Sequence, residues 1–243
     1  MDGVFPEVVR SGRTGKPHRT LAQNSTQTVS STSVQVVGAT GLKRKLDSIE
    51  ILAVGEIYAF PLKEYITKVR GIPFDIASHY LKEVKCRTKD HKEFYALGFA
   101  SGDTYALRNK LFKGFASTGV DIRIFEEGTP EVIMFEGFID FLSYLAAKRL
   151  TKPNKTAVVL NGYSMVGRAI SFIQSQSGIR KIEFFRDRDE VLGKEIEKNT
   201  GLQTLKKLQT ELKNIPVIDR SETYPKFKDL NDWRTNLVKQ KDK

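Results

Sequence analysis

Apolar and polar positions along the chain change period several times, and each change marks an element. Over residues 46–83 the apolar residues recur at helical spacing, first through EIYAFPLKEYITKVRG, which closes on Gly71, and then through PFDIASHYLKEV. In the second run Pro73 stands in the first turn, and Ile76, Ala77, Tyr80 and Leu81 share one face. Over 84–125 the period shortens to that of strands: VKCRT, EFYALGF and DTYALRN, with Asp90-His91 and Ser101-Gly102-Asp103 as turn signals. Residues 132–135 are wholly apolar, as in a strand covered on both faces of a parallel sheet, and FIDFLSYLAAKRL follows at helical spacing. Residues 157–160 repeat the buried strand, Asn161-Gly162 makes a tight turn, and Ser164 is an N-cap for a helix through Gln174. After the strand KIEFFR comes a long polar helix, EVLGKEIEKNTGLQTLKKLQTEL, with a break near Gly201. IPVID is a short strand, and FKDLNDWRTNLVKQ a last amphipathic helix carrying Trp233 and Leu237.

From residue 131 strands and helices alternate, and parallel strands need crossovers of this kind. The expected fold is α/β: a parallel sheet flanked by helices over 129–243, preceded by a small α+β subdomain over 46–128. Residues 1–45 read as a flexible basic N-terminal arm, because the segment 12–40 is rich in Ser, Thr, Gln and Gly, carries no acid and has no helical period. An arm that grips phosphates and a linker to an upstream domain remain equally open readings of it.

The parallel sheet brings acids together. Glu136-Gly137 stands where one buried strand gives way to a helix, and Asp187-Arg188-Asp189 follows the KIEFFR strand. In open α/β sheets ligands bind at the carboxyl ends of the strands, so Glu136, Asp187 and Asp189 meet at the edge where a ligand would sit. Carboxylates that close repel one another unless a hard cation neutralises them, and Mg²⁺ suits oxygen ligands that leave room for phosphate oxygens.

Charge agrees with an anionic partner: the net charge is +11 and the sequence pI about 9.6, nucleic acid being expected before membrane. In Arg108-Asn109-Lys110-Leu111-Phe112-Lys113 cations alternate with apolar and aromatic residues, a composition suited to a phosphate backbone; the competing reading is a solvated loop. One cysteine, Cys86, and three histidines exclude a zinc finger or an internal disulfide. No apolar run has transmembrane length and no signal peptide opens the chain, so a soluble cytoplasmic protein is expected.

The stretch from 131 resembles the Toprim domain shared by bacterial-type primases, topoisomerases and some nucleases. The family's strand-terminal Glu-Gly with an Asp three residues on is matched by Glu136-Gly137-Phe138-Ile139-Asp140, its Asp-x-Asp by Asp187-Arg188-Asp189, and its intervening small turn by Leu160-Asn161-Gly162-Tyr163-Ser164. More narrowly, RGIPFDIASHYLKEV, EFYALGF, YALRNKLFKG, FEGFIDFLSYL and KDLND follow one another as in the toprim primase-like proteins of Bacteroidetes mobile elements, over roughly residues 49–233. Two departures stand out. Gly193 lies four rather than three residues after Asp189, leaving the start of the next helix and the metal geometry open, and the Cys and His residues of the zinc-binding module with which such proteins commonly begin are not found in this sequence.

The resemblance implies a DNA primase-like nucleotidyltransferase that makes short primers on single-stranded DNA from nucleoside triphosphates, for replication of a mobile element. By it, Asp187 and Asp189 hold Mg²⁺ or Mn²⁺ and no zinc is used; Glu136 is a further ligand or the general base. Asp140 is a weaker candidate that orients a neighbour, and Asp229 and Asp232 reach the same edge. Arg108, Asn109, Lys110 and Lys113 hold the template or nucleotide phosphates, Arg186 or Arg188 assists, and Gly137, Asn161 and Gly162 line the nucleotide site. A helicase or relaxase is the implied protein partner. Two further classes stay open: a nuclease using the same acids with water as nucleophile, and a non-catalytic DNA-binding accessory.

Overall fold

The structure, a computed structural model, describes residues 49–116, 120–193, 195 and 198–241, all within one compact unit, Leu46–Lys243. The arm expected over 1–45 lies outside the described residues. Two five-stranded sheets form the frame. The first is an antiparallel meander of β1 (Glu50–Gly55), β2 (Leu81–Arg87), β3 (Glu93–Ser101), β4 (Thr104–Arg108) and β5 (Lys113–Phe115), in that order. Between β1 and β2 run α1 (Phe60–Glu64), a π-helical stretch Tyr65–Val69, and α2 (Phe74–Tyr80).

The second sheet contains β6 (Arg123–Phe125), β7 (Glu131–Phe135), β8 (Thr156–Val159), β9 (Lys181–Phe185) and β10 (Val217–Asp219) in the order β10-β9-β7-β8-β6. Four strands are parallel, and β6 runs antiparallel along β8. The crossovers carry α3 (Phe138–Lys148), α4 (Val166–Ser175) and α5 (Thr200–Glu211), and α6 (Leu230–Lys241) closes the chain.

The unbroken apolar run of β7 has its cause in this layering. Ile133 and Phe135 pack into a core with α3 and the start of α6, while Val132 and Met134 pack on the other face with α4 and α5. The first of these cores also takes in α1, α2 and one face of the meander through Leu81, Leu97, Phe99 and Ala106, so both sheets share it. Rings join them: Phe99 stacks on Phe138 at 5.1 Å and Phe125 on Phe141 at 4.9 Å between centroids.

Several elements differ from the pattern reading. Residues 50–55 form a strand rather than a helix start; its register slips between Ile51 and Ala53, and such a bulge blurs the period of two. The second helix ends at Tyr80, because Leu81 pairs with Phe99 and opens β2. Strands β5 and β6, three residues each, are too short to show a period. Ser164 does not cap a helix: Tyr163–Met165 is a 3-10 turn, and α4 begins at Val166 without a side-chain cap. The long polar helix becomes a 3-10 turn, Asp189–Leu192, which Gly193 closes with a left-handed φ of 75°, and α5 starts only where the Asn199 side-chain Oδ1 accepts from the Leu202 N–H at 3.0 Å.

Candidate active site

Strands β7 and β9 are hydrogen-bonded neighbours and both end at the same sheet edge, Phe135 opposite Phe185. The residues that leave the two strands are therefore joined. Glu136 Oε1 accepts from the Asp187 backbone N–H at 3.0 Å. Onto this link presses the first turn of α5: a Cβ on Gly201 would stand 2.4 Å from the Asp187 carbonyl oxygen and 2.6 Å from Glu136 Oε1. Only a glycine leaves room there.

The carboxylates around this link act on one another. Burial, then the charges of Asp187 and Asp189, push Glu136 up to about 8, against the pull of the Asp187 amide and Arg186. Burial and the charge of Asp229 raise Asp187 to about 6, opposed by Lys228 and Lys113. Asp140, in the first turn of α3 and only 8% exposed, is held well above its ordinary value by burial and by Asp229, Asp187 and Glu136. Asp189 is buried at the start of the 3-10 turn. Taking a proton is the carboxylates' remedy for crowding when nothing else neutralises them.

Basic groups face the acids from the meander. Arg108 at the end of β4 and Lys113 at the start of β5 are cross-strand partners. Burial pulls Arg108 down to about 10, with Tyr65, Asp140 and Asp187 working the other way; its guanidinium lies 5.9 Å from the Phe138 ring centre. Lys113 is lowered by burial and by Arg108 and Lys228, while Asp187 and Asp140 favour its charge. Lys228 Nζ stands 3.9 Å from Asp187 Oδ2. Of the four residues expected along this loop, Arg108 and Lys113 are the ones whose charges act on Asp140 and Asp187. Asn109 is spent on the hairpin, its carbonyl oxygen accepting from the Leu111 and Phe112 N–H groups at 2.8 and 2.7 Å and its amide donating to the Tyr95 carbonyl at 2.8 Å. Lys110 is exposed at the hairpin tip beside Leu111.

The other expected residues divide likewise. Gly137 is the N-cap of α3 with extended backbone. Asn161 takes a left-handed φ of 58° and Gly162 a φ of 145°. The Asn161 amide donates to Ser101 Oγ at 3.2 Å, while its buried carbonyl oxygen has no protein partner. Asp229 caps α6, its Oδ1 accepting from the Asp232 N–H at 2.8 Å. Asp232 is raised by burial and by Asp229. Arg186 is structural, bound to Asp219 at 2.9 Å and to both oxygens of Glu190 at 2.9 and 3.1 Å, and Arg188 donates to the Ser221 carbonyl at 3.3 Å.

Residues that sequence reasoning passed over complete the surround. Asn231 is buried, its N–H donating to Asp140 Oδ1 at 3.1 Å and its amide to Ser143 Oγ at 2.9 Å and the Arg70 carbonyl at 2.8 Å. Arg70 returns a bond to Asn231 Oδ1 at 3.2 Å and another to the Tyr65 hydroxyl at 2.9 Å, so the π-helical stretch, α3 and α6 are tied to one acid. The Tyr224 hydroxyl donates to the Arg186 carbonyl at 2.9 Å, anchoring the end of β9. The Asn231-Asp232 pair and the Asn199-Thr200-Gly201 run were the available signals.

A divalent cation suits this edge in donor type. The donors are carboxylate oxygens, and their mutual repulsion is what a cation would relieve. The side chains do not stand in a finished coordination sphere: among the described residues no three His, Cys, Asp or Glu groups are arranged to hold an ion. Among the described residues, too, no helix is long and apolar enough to cross a membrane.

A family model described as Toprim-like matches residues 133–233, and one described as a domain of unknown function (DUF8464) matches residues 51–117. No curated protein matches the chain. Among solved structures the chain is similar to the primase fragment of the bacteriophage T7 primase-helicase protein, at 15% identity over 78% of this chain and 77% of that one, with a TM-score of 0.47. It is also similar to a chain in the structure of the bacteriophage T7 lagging-strand DNA polymerase interacting with primase domains bound to an RNA/DNA hybrid and dTTP, at 16% identity over 76% of this chain and 93% of that one, with a TM-score of 0.48.

Proposed function

We propose that this chain, which carries a Toprim-like domain at residues 133–233, is a metal-dependent nucleotidyltransferase that joins nucleotides into short primers on single-stranded DNA. The observation that supports this reading is one edge where Glu136 accepts from the Asp187 N–H and where burial and neighbouring acids raise Glu136, Asp187 and Asp140, with Arg108 and Lys113 close enough for their charges to act on Asp187 and Asp140. Residues 129–243 would carry the chemistry and residues 46–128 the grip on the strand. Asp187 and Asp189, with Glu136, would hold Mg²⁺ or Mn²⁺, and the bound ion would supply neutralisation of the triphosphate and of the charge that develops on transfer.

The chain's own groups have separate tasks. Glu136 has two alternative tasks: a further ligand of the ion, or, where Asp187 and Asp189 alone hold it, the group that accepts the proton of an attacking hydroxyl. Arg108, at about 10, stays charged at neutral pH despite its burial and would hold phosphate oxygens with Lys113. Asn231 keeps Asp140 oriented, and Gly201 lets α5 close on the Glu136–Asp187 link.

The test is incubation of the protein with single-stranded DNA, labelled nucleoside triphosphates and Mg²⁺ or Mn²⁺, beside the double variant Asp187→Ala/Asp189→Ala, with products resolved by length. New short oligonucleotides that vanish in the variant are expected. Shortened template in their place would assign hydrolysis, and binding without either product would make the chain a non-catalytic DNA-binding protein.

A further inference from the structure

Away from the acids, the seam between the two sheets holds a convergence of rings around one cation. His79 and Tyr80 from the last turn of α2, Phe99 and Ala100 from β3, and Arg123 and Phe125 from β6 line a cleft of about 170 Å³. Its walls are fixed from behind. Phe125 is stacked on Phe141, within 9° of parallel, and Tyr80 meets both rings edge-on at 5.4 and 5.2 Å. The Tyr80 hydroxyl donates to the Thr151 carbonyl at 2.8 Å, and His79 lies 4.8 Å from the Tyr80 ring.

The Arg123 guanidinium lies 5.4 Å from the centre of the Phe125 ring, and its side chain is exposed. Among the described residues it makes no ion pair; Asp121, two residues away, is engaged by Arg168 at 2.6 Å. No acid lines the cleft. Laying a long side chain on a ring costs rotamer entropy that an exposed cation–π contact barely offsets. What the arrangement provides is a planar cation beside aromatic walls, the chemistry that takes a nucleobase by stacking and its phosphate by charge.

We propose that this cleft binds single-stranded nucleic acid, taking one base among His79, Tyr80 and Arg123 and an adjoining phosphate on the Arg123 guanidinium. The inference rests on the reading of the acidic edge as a nucleic-acid site, and it adds a second contact to the same strand. Phe99, which lines the cleft, stacks on Phe138, and Phe138 in turn lies under Arg108, so the two places are separated by one pair of stacked rings. The overall charge of +11 favours a polyanion over a neutral partner.

The test uses the full chain and a fluorescently labelled oligothymidylate of about 12 nucleotides, within the span of known single-strand sites. Binding is read by anisotropy at several salt concentrations for wild type, Arg123→Gln, His79→Ala and, as a control for lost surface charge, Lys206→Gln on the exposed side of α5. Arg123→Gln is expected to weaken binding about tenfold and to lower the salt slope by about one, while Lys206→Gln stays within about twofold. A 5-iododeoxyuridine oligomer is expected to cross-link to His79 or Tyr80. Affinity and slope unchanged in Arg123→Gln, or cross-links confined to other residues, would overturn the proposal. Product formation at saturating DNA separates the two readings. If Arg123→Gln binds as wild type does and still makes primers, the cleft is refuted and the acidic edge stands; if wild type makes none yet Arg123→Gln binds poorly, the cleft stands alone.

Discussion

Strands β7 and β9 carry carboxylates toward both of their ends, and the two groups are treated in opposite ways. Glu131 at the start of β7 is met by Lys181 at 2.6 Å and by Lys155, and Glu183 on β9 by Lys155 at 3.1 Å and by Arg220. Hydrogen bonds from Lys155 and Lys181 hold Glu131 down to about 2. Burial works to raise Glu183, but Arg220 and Lys155 outweigh it and keep it below its ordinary value. Five residues along β7, Glu136 stands among carboxylates and is driven up to about 8. At one end each acid is paired with lysine or arginine; at the other Lys228 stands 3.9 Å from Asp187, but Glu136 and Asp140 make no ion pair among the described residues. Acids that a fold leaves raised in this way, while it pairs those at the opposite end, are candidates for a functional rather than a structural role.

The sharpest way to break this contrast is to neutralise one acid at each end. Asp187→Asn is expected to lower product formation about 100-fold or more with little change in stability. Glu183→Gln should do the reverse, leaving turnover within a few-fold of wild type and costing about 2 kcal/mol in urea denaturation, because Lys155 and Arg220 lose a buried partner. Equal losses of activity from both variants, at unchanged stability, would mean that the two ends do not differ in role.

The next variant acts through shape rather than charge. Ala is intrinsically the better helix former by about 1 kcal/mol, so Gly201→Ala in the first turn of α5 ought to stabilise. The added Cβ would instead run into the Asp187 carbonyl oxygen, which is backbone and has little room to move, and into Glu136 Oε1. A loss of about 1–3 kcal/mol is expected, with a fall in turnover of about tenfold or more as the Glu136–Asp187 link shifts. Gly167→Ala in α4, where a Cβ meets nothing within 4 Å, is the control and should gain stability. A stabilised, fully active Gly201→Ala would separate the acidic edge from α5.

These two variants also mark what the sequence could disclose. That Glu136 and Asp187 meet was legible because the wholly apolar run of β7 announces a parallel sheet, and residues just past the ends of neighbouring strands in such a sheet lie at one edge. Gly201 was read only as a helix break, since its reason is the approach of a carbonyl and a carboxylate from other elements. Asn231 was hidden for the same cause: its partners Asp140, Ser143 and Arg70 lie 91, 88 and 161 residues away. Arg108 and Lys113 were recognisable as cations, but that Lys110 between them points elsewhere follows from the alternation of β4 and β5 around a turn held by Asn109. The bulged β1 and the three-residue β5 and β6 were lost because pairing, rather than any repeat of their own, makes them strands.

A further effect is expected on stability against pH, and it sets the two ends against each other. Glu136 binds its proton with a value of about 8 in the folded chain against an ordinary 4.5. Between those values the folded state holds more protons than the unfolded one, so this group makes stability fall as pH rises from about 4.5 to about 8. Glu131 stands at about 2 against 4.5, so its contribution is complete above 4.5 and is lost as pH falls toward 2. Melting temperature should therefore decline on both sides of mildly acidic pH. Glu136→Gln is expected to make the alkaline limb shallower, Asp187 and Asp140 being raised too and contributing to it, and to spare the acid limb, and Glu131→Gln to do the opposite. Mg²⁺ added at pH 8 should raise the wild-type melting temperature by mass action, and raise it less in Asp187→Asn. If Glu136→Gln leaves the alkaline limb unchanged, Glu136 is not raised in the folded chain, and the contrast between Glu131 and Glu136 at the two ends of β7 disappears.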